Sequence, residues 1–214
     1  MPPKSKKPQG STSPALASRL PRSWPSGTTY LHKPCYSKQL THDSLNALIC
    51  PRSNLPDNEQ ARVSNGPYSN VKIMSIVSPS HPANGQCGLF STQKLEPDSF
   101  ILSYLGFVHG KNETDETSDY DLSLDRELGV GIDASTMGNE ARFINDYRGV
   151  SSSANAEFRD VFVNIGSGKV EKRVGVFVLS AGKSGKRAKG IEKGHEILVS
   201  YGKGFWMERK QSQE

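Results

Sequence analysis

Two stretches of this chain carry residues whose types and spacing suit chemistry: Gly138-Asn139-Glu140-Ala141-Arg142-Phe143-Ile144-Asn145-Asp146 and, far downstream, Glu196-Ile197-Leu198-Val199-Ser200-Tyr201-Gly202-Lys203-Gly204-Phe205-Trp206. An asparagine such as Asn145 can donate and accept hydrogen bonds at once, which suits the holding of a polar ligand. Tyr201 closes an apolar run and offers a hydroxyl, while Phe205 and Trp206 offer flat apolar faces able to exclude water. Packing alone would explain that aromatic pair equally well. Upstream, Gly85-Gln86-Cys87-Gly88-Leu89-Phe90 contains two glycines, and a residue without a side chain lets backbone come close to a ligand. An ordinary turn is the competing explanation there. Tyr104 ends the run Phe100-Ile101-Leu102-Ser103-Tyr104, and Tyr120 opens Tyr120-Asp121-Leu122-Ser123-Leu124-Asp125. Each of those tyrosines, taken alone, is more often part of a core strand than of a site.

These residues need a scaffold to bring them together, and the texture of the chain says which kind. From Val71 onward, β-type runs recur at Val71 to Ser75, Leu89-Phe90, Phe100 to Tyr104, Tyr120 to Leu124, Val161 to Ile165, Val174 to Leu179 and Glu196 to Ser200. Turn signals separate them, among them Pro82-Ala83-Asn84-Gly85, Glu96-Pro97-Asp98 and Gly166-Ser167-Gly168. The expectation is a mostly β domain over 70–206 with few short helices and no internal repeat, then a C-terminal tail at 207–214. Residues 30–69 form an N-terminal extension in which Leu40, Leu45, Leu48 and Ile49 predict one short helix, opening at Thr41 to Ser44, ending before Pro51 and packing as a satellite. Residues 1–29 are rich in Pro, Ser and Lys with few apolar side chains, so burial could not offset their ordering entropy and a disordered basic tail is expected. The acidic Lys111 to Asp119 stretch and the basic, Gly-rich Ala181 to Lys193 stretch read as surface loops.

A length of 214 residues suits one well-buried domain with flexible flanks. The net charge of +5 suits an anionic partner or a chromatin setting, although a plain solvated surface explains so modest an excess. Cys35, Cys50 and Cys87 are an odd number without a Cys-x-x-Cys pair, which argues against a disulfide framework or a zinc cluster and for a reducing compartment. No apolar run approaches the length of a bilayer span, and the first residues lack the apolar core of a secretory signal, so a soluble intracellular protein is expected.

In this order, the segments resemble the signature motifs of SET-domain protein lysine methyltransferases. Gly85 to Phe90 is similar to the family's opening Gly-x-Gly strand, with Gly88 on the second glycine and Gln86 where the first usually stands. Phe100 to Gly106 looks like the Tyr-x-Gly strand, and Tyr120 to Asp125 followed by Gly131-Ile132-Asp133-Ala134 resembles the next two. Arg142-Phe143-Ile144-Asn145 and Gly194-His195-Glu196-Ile197-Leu198-Val199-Ser200-Tyr201-Gly202 match the two strongest motifs. The resemblance implies a SET fold: small curved sheets, few short helices and a knot-like C-terminal segment. It implies S-adenosylmethionine as cofactor, held by Gln86, Cys87, Gly88, Leu89, Tyr104, Arg142, Phe143, Asn145, Asp146, Phe205 and Trp206. It also implies Tyr201 and Tyr120 as catalytic residues lining a lysine channel, Val199 as the position that sets product methylation, and no metal in the reaction. Since Val199 is smaller than the family's Phe or Tyr, di- or trimethylation is the expected outcome. Glu196 is read as structural.

The clearest departure follows Asn145. Most members continue His-Ser-Cys-x-Pro-Asn, whereas this chain reads Asp146-Tyr147-Arg148-Gly149-Val150 and reaches an aligned asparagine only at Asn155. Backbone contributions from Asp146 would leave function intact, with its carboxylate pairing to Arg148; a need for the imidazole would not. The missing cysteine removes a zinc ligand, so a compact member without zinc-binding pre-SET or post-SET elements is expected. The implied partner is a protein or peptide presenting lysine, with a histone or nucleosome as one candidate, and the implied location is nuclear, with the cytoplasm as the alternative. The competing reading is a SET-like module with little or no turnover that binds chromatin or nucleic acid through Lys4-Ser5-Lys6-Lys7 and the Lys183 to Lys193 loop. Neither reading involves a membrane.

Overall fold

The computed structural model describes residues 20–55, 59–183, 185, 187 and 189–202. Its largest element is an antiparallel hairpin of Ala156–Gly166 and Lys169–Val178, joined by Gly166-Ser167-Gly168. All three turn residues have positive φ, which glycine adopts without steric cost and Ser167 does not. The second hairpin strand also pairs with Phe100–Tyr104 and with Ile49–Pro51, giving the largest sheet. A second sheet runs in the order Cys35–Tyr36, Phe107–Gly110, Val130–Asp133, Asp121–Asp125, so Asp121–Asp125 is an edge strand among the described residues. Val71–Ser75 pairs antiparallel with Cys87–Ser91, Thr29–Tyr30 parallel with Met137–Gly138, and Asn145–Asp146 parallel with Leu198–Val199. These are the small open sheets that the strand-rich pattern predicts. A main core joins them, with Leu48, Leu89, Leu102, Val108, Ile132, Val176, Ile191 and Ile197 fully enclosed, and a small second cluster of Val161, Val163 and Phe177 lies on the hairpin.

The predicted short helix is His42–Leu48, and its start is chemically marked: Thr41 is the N-cap and its hydroxyl accepts from the Ser44 N–H. The surrounding extension is less of a satellite than expected. Its strands Thr29–Tyr30, Cys35–Tyr36 and Ile49–Pro51 each complete a sheet of the domain. The buried Glu140 carboxylate then accepts from the Tyr30 hydroxyl at 3.0 Å and from the Tyr68 N–H at 3.0 Å, stitching the extension to the first motif. A buried carboxylate is costly unless its oxygens find donors, and here the donors come from outside the expected domain boundary.

The tail reading also needs correction at its end. Residues 20–29 fall within the described residues and are packed: the Trp24 ring stands edge-on to Tyr30 at 4.9 Å and to Phe143 at 5.7 Å, and its Nε1 donates to the Thr28 carbonyl at 2.8 Å. One indole buries enough area to order a segment whose composition is otherwise polar. Residues 1–19, including Lys4-Ser5-Lys6-Lys7, and residues 203–214 lie outside the described residues. Among the described residues, no helix is long and apolar enough to cross a membrane, Cys35, Cys50 and Cys87 are free thiols, and no group of three or more His, Cys, Asp or Glu is placed to hold a metal ion.

Candidate functional site

The parallel pairing of Asn145–Asp146 with Leu198–Val199 brings together the two stretches that the sequence marks, with Asn145 opposite Leu198 and Asp146 opposite Val199. Two-residue strands supply few ladder bonds, and side chains supply the rest. Asn155 acts as a surrogate strand: its Oδ1 accepts from the Leu198 N–H at 2.8 Å, its Nδ2 donates to the Glu196 carbonyl at 2.7 Å, and its backbone N–H donates to the Leu198 carbonyl.

Asp146 holds the other end. Its Oδ2 accepts from the Tyr201 N–H at 2.7 Å and from Arg148 Nη1 at 2.9 Å, while Oδ1 accepts from the Arg148 N–H at 2.8 Å. The expected local pair with Arg148 is therefore present. The side chain does more, because it fixes the backbone of the tyrosine that the motif ends on. The Tyr201 hydroxyl donates to the Ile144 carbonyl at 2.6 Å, so this residue is held at both ends by the first motif. Having donated its proton, that oxygen can meet a further group only as an acceptor.

A cavity of about 390 Å³ opens between these segments. Of the residues marked in the sequence, Gln86, Cys87, Tyr120, Arg142, Phe143, Asn145, Asp146 and Tyr201 line it. Asn145 is more restricted than a free amide: its Nδ2 donates to Glu196 Oε1 at 2.8 Å and to the Cys87 carbonyl at 3.3 Å. A flipped amide would set Oδ1 against two acceptors, so the orientation is determined and only the acceptor Oδ1 is left for a ligand. Arg142 is tied down by the Ala134 and Ser135 carbonyls and lies over the Tyr120 ring at 4.5 Å and the Phe143 ring at 5.0 Å.

Four marked residues stand behind the wall rather than in it. Tyr104 is buried and donates to the Tyr120 carbonyl at 2.7 Å, bracing that tyrosine. Burial, with the nearby Tyr201 and Asp133 adding to it, pushes its own hydroxyl pKa well above the usual value. Leu89 is enclosed in the core. Gly88 has close approach as its reason, but what approaches is protein: a Cβ there would fall 2.5 Å from Glu196 Oε1. Val199 is fully enclosed and lines neither the cavity nor the groove described below. Phe205 and Trp206 lie outside the described residues.

Other residues of the site are not among those the motifs mark, and Glu196 reads in the sequence only as structural. Glu196 joins Asn145 to His81, whose Nε2 lies 3.0 Å from Glu196 Oε2, and His81, Pro82 and Ala83 line the cavity with Pro25, Asp119 and Arg148. The one signal available was Glu196 itself, because a carboxylate in an apolar strand must find donors.

A second, more open cleft of about 730 Å³ runs along Asp121 to Glu127, Phe158 to Asp160, Lys172 and Val174, and it too is lined by Tyr201. Its carboxylates Asp121, Asp125, Glu127 and Asp160 outnumber its cations Arg126, Arg159 and Lys172. Burial raises the Asp121 pKa against the opposing pull of His109, whose Nε2 is 3.1 Å from Asp121 Oδ1. Burial alone would lower the Lys172 pKa, but its bonds to Asp160 and Asp125 outweigh that and raise it.

The family model described as SET domain matches residues 86–202. No curated protein matches the chain. Solved structures that it is similar to include the Chaetomium thermophilum polycomb repressive complex 2, at 22% identity over 66% of this chain and 16% of that one with a TM-score of 0.46. An active polycomb repressive complex 2 in the basal state is similar at 24% identity over 64% of this chain and 16% of that one, with a TM-score of 0.47. The chain thus spans 16% of the length of each of these two.

Proposed function

Because the chain belongs to the SET domain family, we propose that it transfers a methyl group from S-adenosylmethionine to the side-chain amine of a protein lysine. The observation that carries this reading is that Tyr201 lines two clefts at once, the cavity with Asn145 and the larger groove along Asp121 to Glu127. A transferase needs two ligands to meet at one point, and Tyr201 is that point.

The residues of the cavity suit the cofactor. Asn145 presents an acceptor, which matches the α-ammonium of its amino-acid end, and Phe143, Tyr120 and Pro82 offer apolar faces for a flat ring. When bound, the cofactor supplies an electrophilic methyl on a sulfonium. The protein must supply a neutral, aligned amine. A lysine with a pKa near about 10.4 is almost wholly charged at neutral pH, a deficit of roughly 4 kcal/mol. The Arg142 guanidinium over Tyr120 opposes a second positive charge at the channel, and exclusion of water disfavours the ammonium further. The Tyr201 oxygen, fixed by Ile144 and Asp146, orients the amine by accepting from it, and alignment of this kind contributes several kcal/mol.

Carboxylates exceed cations by one along the groove, which suits a lysine-bearing segment, and histones are the natural first substrates to assay, with a nuclear location following from that substrate. The turnover-free alternative rests on the basic segments and on the Asp146-Tyr147-Arg148 departure; the hydrogen bond from the Tyr201 N–H to the Asp146 carboxylate supports the enzyme reading over it. The test is calorimetric titration with S-adenosylmethionine, followed by transfer of labelled methyl to histones and cell lysate. Binding by the intact chain, at least tenfold weaker in Asn145→Ala, is expected, since about 1.4 kcal/mol is the worth of one lost polar contact. Unchanged affinity in that variant would remove Asn145 from the site.

A further inference from the structure

We infer that His81 is a positioning residue for ligand recognition, acting through Glu196 to hold Asn145 as an acceptor. The inference rests on the cofactor reading of the cavity and adds a residue from a loop outside the matched motifs. The His81 ring is fixed on both sides. Its Nδ1 faces the Ala83 N–H at 3.0 Å and must accept there, so in the neutral ring the proton sits on Nε2 and is donated to Glu196 Oε2 at 3.0 Å. Both side chains are 9% exposed, so neither has ready water to replace the other. Glu196 Oε1 then accepts from Asn145 Nδ2. The chain Ala83, His81, Glu196, Asn145 thus fixes the direction of every hydrogen bond in it, and the acceptor it leaves at its far end is the amide oxygen of Asn145, a residue of the cavity wall.

The loop that carries His81 is itself anchored. Ile76 and Gly85 close it through Ile76 N–H to the Gln86 carbonyl at 2.8 Å and Gly85 N–H to the Ile76 carbonyl at 2.9 Å, and His81 and Asn84 add turns within it. Gly88 leaves the room in which the Glu196 carboxylate sits. Without the His81 donor, Glu196 Oε2 is left nearly buried without its hydrogen bond and the carboxylate is released to rotate, so that only the longer 3.3 Å bond to the Cys87 carbonyl still holds Asn145 Nδ2 and the amide can turn its N–H groups toward the ligand. The amide oxygen is what selects an ammonium, so the loss shows as lost selectivity rather than as a uniform loss of affinity.

Two ligands separate these outcomes: S-adenosylhomocysteine and its analogue lacking the α-amino group, each titrated calorimetrically into the full chain and into His81→Ala, His81→Phe and His81→Gln. The unsubstituted chain should prefer the amine-bearing ligand by about tenfold, as expected for a charge-assisted bond. That preference should fall to about twofold in His81→Ala and in His81→Phe, which keeps ring bulk, and return in His81→Gln, which restores a donor. A ratio that stays at the unsubstituted value in the folded Ala or Phe variant, whatever the change in absolute affinity, overturns the inference while leaving the cofactor reading in place. Absence of S-adenosylhomocysteine binding by the unsubstituted chain overturns both.

Discussion

The Ala156–Gly166 and Lys169–Val178 hairpin and the Asn145–Asp146 and Leu198–Val199 pairing lie side by side in the fold but are held by different means. The hairpin strands are neighbours in sequence, register against each other over nearly their whole length and need only a glycine-flanked turn to close. The parallel pair joins segments that the entire hairpin separates, and it has two residues per strand. Its geometry comes from Asp146, Asn155 and Glu196, whose polar atoms take the place of a longer ladder. The lesson is that the scaffold spreads its stability over many weak, local terms, whereas the site concentrates its geometry in a few polar side chains. Substitutions should therefore divide cleanly, those in the pair acting on chemistry and those in the hairpin on melting temperature.

The largest expected effect tests the site end of this comparison. Tyr201→Phe removes the bond to the Ile144 carbonyl and should lower methyl transfer by about a hundredfold or more through misalignment, with cofactor affinity nearly unchanged and a stability loss of only about 1 kcal/mol. Undiminished turnover in a labelled-methyl assay would make Tyr201 a packing residue. Asp146→Ala should act next most strongly, because it strands the Tyr201 N–H and the Arg148 partner together; we expect a loss of about 1–3 kcal/mol in denaturant unfolding and a larger proportional loss of turnover. A turnover loss no greater than the stability loss predicts would mean that Asp146 serves the fold alone.

Asn155→Ala sits at the boundary between the two regions. It removes two bonds to the Glu196–Leu198 backbone and should cost about 1–3 kcal/mol, read as a melting temperature lower by a few degrees, with a weaker cofactor site as a consequence. If only melting temperature moves, the C-terminal strand is placed by the core and not by Asn155. The smallest effect belongs to the hairpin. Ser167→Gly should raise stability by about 0.5–1 kcal/mol by relieving a positive φ in a non-glycine residue, and it should leave turnover unaltered. A change in activity there would show that the hairpin and the site are not separable.

Much of this was legible without coordinates because it is written locally. The Thr41 cap, the apolar periodicity of Val71–Ser75 and Phe100–Tyr104, and the Gly166-Ser167-Gly168 turn depend on residues within a few positions of one another. The ordered match of motifs pointed to Asn145, Tyr120 and Tyr201, and all three line one cavity. What went astray is non-local in each case. Tyr104 ends the strand it was expected to end, yet its hydroxyl reaches the Tyr120 carbonyl and not the cavity. Trp24 has Tyr30 close by in sequence, but the domain surface it packs on comes from Phe143, more than a hundred positions later.

The sequence by itself determined the strand-rich class, the helix at His42–Leu48 and the identity of the residues able to bind and orient ligands, since side-chain chemistry and short-range periodicity travel with the chain. Only the tertiary structure decided which acceptor each donor meets. Glu196 sits between His81 and Asn145, Asp146 reaches the Tyr201 backbone, and Gly88 makes room for a carboxylate, because chain closure puts residues from separate segments within 3 Å of one another. No pattern in the sequence encodes such a meeting directly, for a hydrogen bond is a relation between two positions and the chain specifies the distance between them only after it has folded.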